Sequence, residues 1–360
     1  MKILVVDDSA LMRYTICNIL SSIPNVQLQT SRDGLDALEK LHSWQPDVIT
    51  LDMNMPKMDG MTCLSHIMSD RPTPVVLLSS LTEEGALVTL EGLYLGAVDF
   101  ICKPGGTVSN GLHSLEEELR SKVIQAAGKQ RAAVHATNSP HSEPLPAKEP
   151  KPIKVSYDKA QGVTIIGVST GGPGCVERLV RQLPKDYPQP VIICQHMPET
   201  FTAAFAKRLD KVLDLPVFEI TGATELKESH IYVCKGDRDC IISERGGKLV
   251  AMPTPLDGRF VWHPSVSKLV ESGQRTLGGK NLNCVMMTGL GNDGAQEMAK
   301  VASQHGLVLA QSPDSCVVDS MPKSLLTLCP DITQAPPEEL GRLLYHRTHR
   351  FPKEVTNGVN

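Results

Sequence analysis

Ser169 stands inside Gly167-Val168-Ser169-Thr170-Gly171, directly after the apolar run VTIIGV. G-x-S-x-G after a strand describes a tight strand-to-helix turn that exposes the hydroxyl at a helix N-terminus, where backbone N–H groups can hold an oxyanion. Glycine-rich turns of this kind also cradle phosphates or simply permit close packing, so the motif alone leaves these readings open. Two later sites bear on the choice. PVIIC leads into Gln195-His196-Met197-Pro198, and CVMMTG leads into GLGNDGA, which contains Asp293. Serine, histidine and aspartate together are the groups of nucleophilic acyl transfer. Their chain order is not the Ser-Asp-His order of α/β-hydrolases, which points to a separate invention of the triad. Only His196 has both a strand-end location and a role to fill. His263, in VWHPSVSKL, sits just before a helix and reads as a cap or packing residue, while His230 and His305 adjoin strands and offer no partner.

A second reactive group lies near the N-terminus. Asp7 and Asp8 end the first strand, Asp52 ends DVITLD, and Lys103 follows VDFIC immediately before Pro104. Three carboxylates suit a hard cation: Mg²⁺ takes a few oxygens plus water and phosphate, and a lysine can neutralise phosphoryl oxygens opposite the metal. Each aspartate alone could equally be a helix cap or a solvated loop end.

Both groups need an open parallel sheet, whose C-terminal strand ends share one edge. The runs KILVV, VQLQT, DVITL, VVLL and VDFI alternate with helical patterns through residues 1–123 and predict such a sheet, covered on both faces. The helix after the first strand is expected to begin at the N-cap Ser9 and to turn Leu11, Ile16, Ile19 and Leu20 inward. Residues 124–160, rich in Pro, Ala, Lys and Ser, read as a linker. A second series, VTIIGV, PVIIC, VFEI, HIYVC and CVMMTG, spans 161–347, interrupted by the hairpin CIISERGGKLVAM with Gly246-Gly247 as its turn. A tail, 348–360, remains. There is no internal repeat. The fold class is therefore α/β, with two doubly wound parallel-sheet domains.

The bulk numbers agree. A chain of 360 residues exceeds what one core normally organises, and 41% hydrophobic with 21% charged residues is ordinary for a folded protein. A formal net charge of -4 with no basic run excludes an electrostatic drive toward nucleic acid. The ten cysteines form no C-x-x-C pair and read as reduced, mostly buried thiols. MKILVVDDSA meets two aspartates at once, so neither a signal peptide nor membrane insertion is expected, and the cytoplasm is the expected location.

Asp7-Asp8, the D-M-N-M-P-x-M-D-G run from Asp52, Ser79-Ser80 and Lys103-Pro104 together resemble the response-regulator receiver family over 1–123. The resemblance implies a flavodoxin-like fold with Asp52 as phosphoacceptor. It also implies Mg²⁺ among Asp7, Asp8, Asp52 and the Asn54 carbonyl, with Ser79 and Lys103 on the phosphoryl group and a chemotaxis histidine kinase as phosphodonor. Phe100, three residues before Lys103, matches the aromatic switch position; the alternative is a plain core aromatic.

From about 160 to 347, G-x-S-T-G-G, V-I-I-C-Q-H-M-P, H-P-S-V and T-G-x-G-x-D-G-A resemble the catalytic domain of the CheB family. That implies a Rossmann-like serine hydrolase with Ser169 as nucleophile, His196 as base, Asp293 as orienting acid and Thr170 near the oxyanion site. The implied substrates are glutamate methyl esters on methyl-accepting chemotaxis receptors, with glutamine deamidation as a related acyl transfer and no metal in this domain. The sequence departs from the family at Leu290, near the oxyanion position, where Met is usual, and at Val168, where Ala is usual; a backbone N–H contact would survive either change. A dinucleotide-binding module is the competing reading. It lacks the full G-x-G-x-x-G, and no acidic residue ends PVIICQHM to hold a ribose. A receiver-linked transcription factor would need a short basic helical output domain, and this one is long, α/β and not basic.

Overall fold

In the computed structural model, which describes residues 1–103, 112–136 and 162–349, strand and helix alternate as the apolar runs require. The chain divides into two units, Met1–Pro150 and Lys151–Asn360.

The first unit runs β1 (Lys2–Val6), α1 (Ala10–Ser21), β2 (Gln27–Ser31), α2 (Gly34–Ser43), β3 (Val48–Asp52), α3 (Gly60–Asp70), β4 (Val75–Ser79), α4 (Glu83–Leu95), β5 (Asp99–Cys102) and α5 (Leu112–Ala136). Its five strands are all parallel, in the order β2-β1-β3-β4-β5. Every residue of β3 and β4 is buried, which is why these strands read as continuous apolar runs without alternation. Ser9 caps α1 as expected, its hydroxyl accepting the Met12 N–H at 3.3 Å. Ile16, Ile19 and Leu20 face inward, but Leu11 is 74% exposed. Five residues separate Leu11 from Ile16, so at 3.6 residues per turn it lies about 140° off the buried face.

The expected domain limit at 123 falls inside α5. Leu119, Val123, Ala126 and Ala127 of that helix all belong to the core of this unit. Alanine carries little apolar signal yet is the best helix former, so this stretch passed for linker. The remainder of the expected linker, 137–160, and the tail beyond 349 lie outside the described residues.

The second unit runs β6 (Val163–Val168), α6 (Gly172–Val180), β7 (Val191–Gln195), α7 (Glu199–Val212), β8 (Val217–Ile220), β9 (Thr224–Glu225), β10 (Ile231–Cys234), β11 (Asp239–Arg245) and β12 (Lys248–Thr254). It continues with α8 (Val266–Leu277), β13 (Leu282–Met286), α9 (Ala295–Ser303), β14 (Leu307–Gln311), α10 (Ser320–Leu328), β15 (Thr333–Ala335) and α11 (Pro337–His349). Seven strands form a parallel sheet in the order β15-β14-β13-β6-β7-β10-β8, and β11-β12-β9 form a small antiparallel sheet whose hairpin turns at Gly246-Gly247. After β6 the chain builds the sheet to one side, then crosses to β13 on the other. The doubly wound switch point therefore lies between β6 and β13, as it lies between β1 and β3 in the first unit. All ten cysteines are free thiols, most of them buried.

An acid at position 126 tests the extended helix. Ala126→Asp would bury an unpaired carboxylate and should destabilise the first unit by about 2 kcal/mol or more, read as a lower melting transition. A neutral effect would put the end of the core back near 123.

Candidate functional site

Parallel register brings serine and histidine together. β6 and β7 pair Val168 with Gln195, and the His196 N–H donates to the Val168 carbonyl at 3.1 Å. Ser169 and His196 are the next residues out, so they leave adjacent strands at one level. On the other side of β6, Gly167 pairs with Met286 of β13, whose following loop carries Asp293.

Asp293 is 6% exposed. Its Oδ2 accepts His196 Nε2 at 3.0 Å and the Val266 N–H at 2.7 Å, and its Oδ1 accepts the Ser267 N–H at 2.9 Å and the Ser265 hydroxyl at 3.1 Å. The Ser265, Val266 and Ser267 donors are the N-cap and first turn of α8, so the carboxylate sits at a positive helix end. Burial opposes its charge, but the His196 hydrogen bond and charge and the Ser267 donors outweigh that and hold its pKa below the usual carboxylate range. An ionised Asp293 requires the proton on His196 Nε2. Nδ1 is then the acceptor; it is buried and, among the described residues, has no hydrogen-bond partner. Ser169, 9% exposed, leaves the adjacent strand at the same level.

The turn around Ser169 is held from the backbone. Its N–H donates to the Thr288 carbonyl at 3.0 Å, and its own carbonyl accepts the Gly172 N–H and Gln195 Nε2, each at 2.9 Å. Gly171 has φ 73° and begins the turn into α6, whose N-terminus lies three residues from the serine. Such a terminus favours developing negative charge. The Ser169 N–H is already committed, so an oxyanion would be met by other donors. Thr170 is buried, its carbonyl accepting the Thr288 hydroxyl at 3.0 Å. Gly289 runs against Ser169 so closely that a Cβ there would lie 2.7 Å from the serine Cβ. Leu290 follows it, half-buried, and Val168 is fully buried behind the serine.

Several partners had no sequence signal. Trp262 stacks on His196 with ring centroids 6.1 Å apart. His263, expected as a cap or packing residue, pairs its Nδ1 with Asp239 Oδ1 at 2.8 Å; Asp239 is buried and also accepts the Ser265 N–H and Lys268 Nζ. His230 does have partners, contrary to expectation: it stacks with Phe218 and Tyr232 and bonds the Glu228 carbonyl.

The acidic residues of the first unit also converge. Asp7, Asp8 and Asp52 each bring a carboxylate oxygen within 4.8 Å of the others, and Lys103 Nζ lies 2.8 Å from both Asp7 and Asp52. Burial pushes the Asp52 pKa up, Lys103 opposes this, and Asp7 adds to it. This crowded set of hard oxygen donors, with Asp8 exposed beside it, fits a divalent cation such as Mg²⁺. Asn54 donates its N–H to Asp52 Oδ1 at 3.3 Å. Ser79 is turned elsewhere: its hydroxyl accepts from Thr89 at 2.6 Å and donates toward the Ser80 and Gly85 carbonyls of the loop and helix that follow. Phe100 is buried with Lys122 Nζ 5.2 Å from its ring centre.

Comparison with known proteins agrees with both halves. Residues 3–109 match the response regulator receiver domain model and residues 164–344 the CheB methylesterase model. The chain belongs to the CheB methylesterase family, with a receiver domain ahead of the catalytic region. It is 55% identical over 358 residues, 99% of each chain, to protein-glutamate methylesterase/protein-glutamine glutaminase 3 of Vibrio cholerae. It is 39% identical over 332 residues, 91% of this chain and 92% of the other, to the protein of that name, without the numeral, from Archaeoglobus fulgidus. Among solved structures, the Thermotoga maritima CheB methylesterase catalytic domain superposes with a TM-score of 0.50 and 29% identity, over 52% of this chain and 98% of that one.

A depressed folded pKa contributes stability that is full above the unfolded value, about 3.9, and lost as pH falls through the lower folded value. Asp293→Asn removes that contribution. The stability gap between wild type and variant in urea unfolding should be widest near neutral pH and shrink below about pH 4. A gap that stays constant down to about pH 2 would mean that Asp293 is not ionised in the fold.

Proposed function

We propose that this chain is a phosphorylation-regulated protein-glutamate methylesterase that also deamidates protein glutamine, acting on methyl-accepting chemotaxis receptors. The observation that carries the reading is the buried Asp293–His196 hydrogen bond, set beside Ser169 by the β6–β7 register.

In this reading His196 Nδ1 takes the Ser169 proton as Oγ attacks the ester carbonyl. Negative charge collects on the carbonyl oxygen near the N-terminus of α6, in the region of Thr170 and Leu290. Collapse expels methanol, protonated by His196, and leaves a glutamyl-serine ester. Water, deprotonated by His196, then releases the carboxylate and restores Ser169. A glutamine side chain follows the same course with ammonia as leaving group. Asp293 keeps its negative charge throughout and stabilises the imidazolium.

In the receiver, Asp52 would accept a phosphoryl group from a chemotaxis histidine kinase. Asp7, Asp8, Asp52 and the Asn54 carbonyl would hold Mg²⁺, which when bound neutralises phosphoryl charge; Lys103 would do so from the other side. Ser79 would have to leave Thr89 to reach the phosphoryl oxygens, with Phe100 as the responding aromatic. We assign the receiver to residues from 1 through the buried part of α5 near 127, a linker to 160, the catalytic domain to 161–347 and a tail to 348–360. Among the described residues no helix is long and apolar enough to cross a membrane, and we place the protein in the cytoplasm beside its receptors.

Methanol release from methylated receptor membranes tests the activity. Ser169→Ala should lower it by roughly four orders of magnitude or more, His196→Ala similarly, and the double variant scarcely further, because the residues act as one unit. Substantial hydrolysis by Ser169→Ala would refute the reading. Asp52→Asn should block phosphorylation by a small phosphodonor in Mg²⁺ while basal hydrolysis persists, since the two chemistries occupy different units; an Asp52→Asn variant that still gains a phosphoryl group would place the acceptor elsewhere.

A further inference from the structure

His196 is tied at one edge only. Its Nε2 bonds Asp293 Oδ2, while Nδ1 has no hydrogen-bond partner among the described residues. A single hydrogen bond sets a distance but leaves the ring free to tilt about it, and tilting would swing Nδ1 away from the serine hydroxyl. The indole of Trp262 closes that freedom. It stacks parallel to the imidazole and offset from it, with centroids 6.1 Å apart and planes within 7° of parallel.

The indole is itself braced. Gly291, with φ 90°, lies so close that a Cβ would come within 2.5 Å of the ring. The next residue along the chain, His263, is paired to buried Asp239, and Ser265, Val266 and Ser267 donate to Asp293. One short segment thus holds the carboxylate that grips the edge of His196 and the aromatic that stacks, offset, beside it.

We propose that Trp262 is a positioning residue for the triad histidine. It holds the imidazole in the plane where Nδ1 meets the Ser169 hydroxyl. The inference rests on the triad reading above and adds a fourth side chain to it.

The test uses the full-length chain and methanol release at varied receptor concentration, with Ser169→Ala as control. Trp262→Ala should lower kcat roughly 10- to 100-fold with KM within about twofold of wild type, because the fault is in geometry and not in substrate binding. Trp262→Phe, which keeps a flat face, should recover most of that loss, and Trp262→Leu, which keeps bulk alone, should not. Unchanged kcat in the Ala variant, a loss confined to KM, or Leu performing as well as Phe would each overturn the proposal. Should the Ala variant fail to fold, the Phe–Leu comparison decides alone. A second readout needs no turnover: in a Trp44→Phe background Trp262 is the remaining indole, and His196→Ala should change its emission; no change would contradict the stack. Activity retained by Ser169→Ala would instead defeat the triad reading itself.

Discussion

The charge on Asp293 is the constraint on which the catalytic edge depends. A buried carboxylate without partners costs several kcal/mol, and this one is stabilised by an imidazole, a hydroxyl and two backbone N–H groups at the start of α8. The charge in turn fixes the His196 tautomer, which leaves Nδ1 as an acceptor. Neutralising Asp293 would release the tautomer, unsettle the first turn of α8 and loosen the segment that carries Trp262.

Sheet topology explains how residues so far apart in sequence arrive together. In each unit the candidate carboxylates flank the point where strand order reverses: Asp7 beyond β1 and Asp52 at the end of β3, Asp293 beyond β13 with Ser169 beyond β6. In doubly wound sheets the helices on either side of such a point diverge, which is where ligands generally bind. The same geometry suits two chemistries because the residues differ. Crowded carboxylates beside a lysine suit a cation and phosphoryl transfer; a lone carboxylate behind an imidazole suits activation of a hydroxyl.

Much of this was legible from local pattern. KILVV and VTIIGV became strands end to end, because both are buried on two faces and bounded by polar turns. Leu11 was misplaced because apolar character outweighed its position about the helix. The end of α5 was missed because alanine packs without announcing itself. Within the candidate site, the convergence of Ser169, His196 and Asp293 on one sheet edge was readable from their strand ends. Trp262, the α8 donors and the bond from Thr89 to Ser79 were not, since each depends on tertiary contacts between segments far apart in the chain.

The central claim is that the Asp293–His196 pair makes Ser169 the nucleophile of the catalytic unit. The most direct measurement is the rate and site of covalent labelling by an active-site-directed fluorophosphonate, read by peptide mass spectrometry on the intact chain. The account predicts one adduct, on Ser169, formed rapidly in the wild type and at least about a hundredfold more slowly in His196→Ala. An adduct on another residue, or a Ser169 adduct whose rate ignores His196, would contradict it.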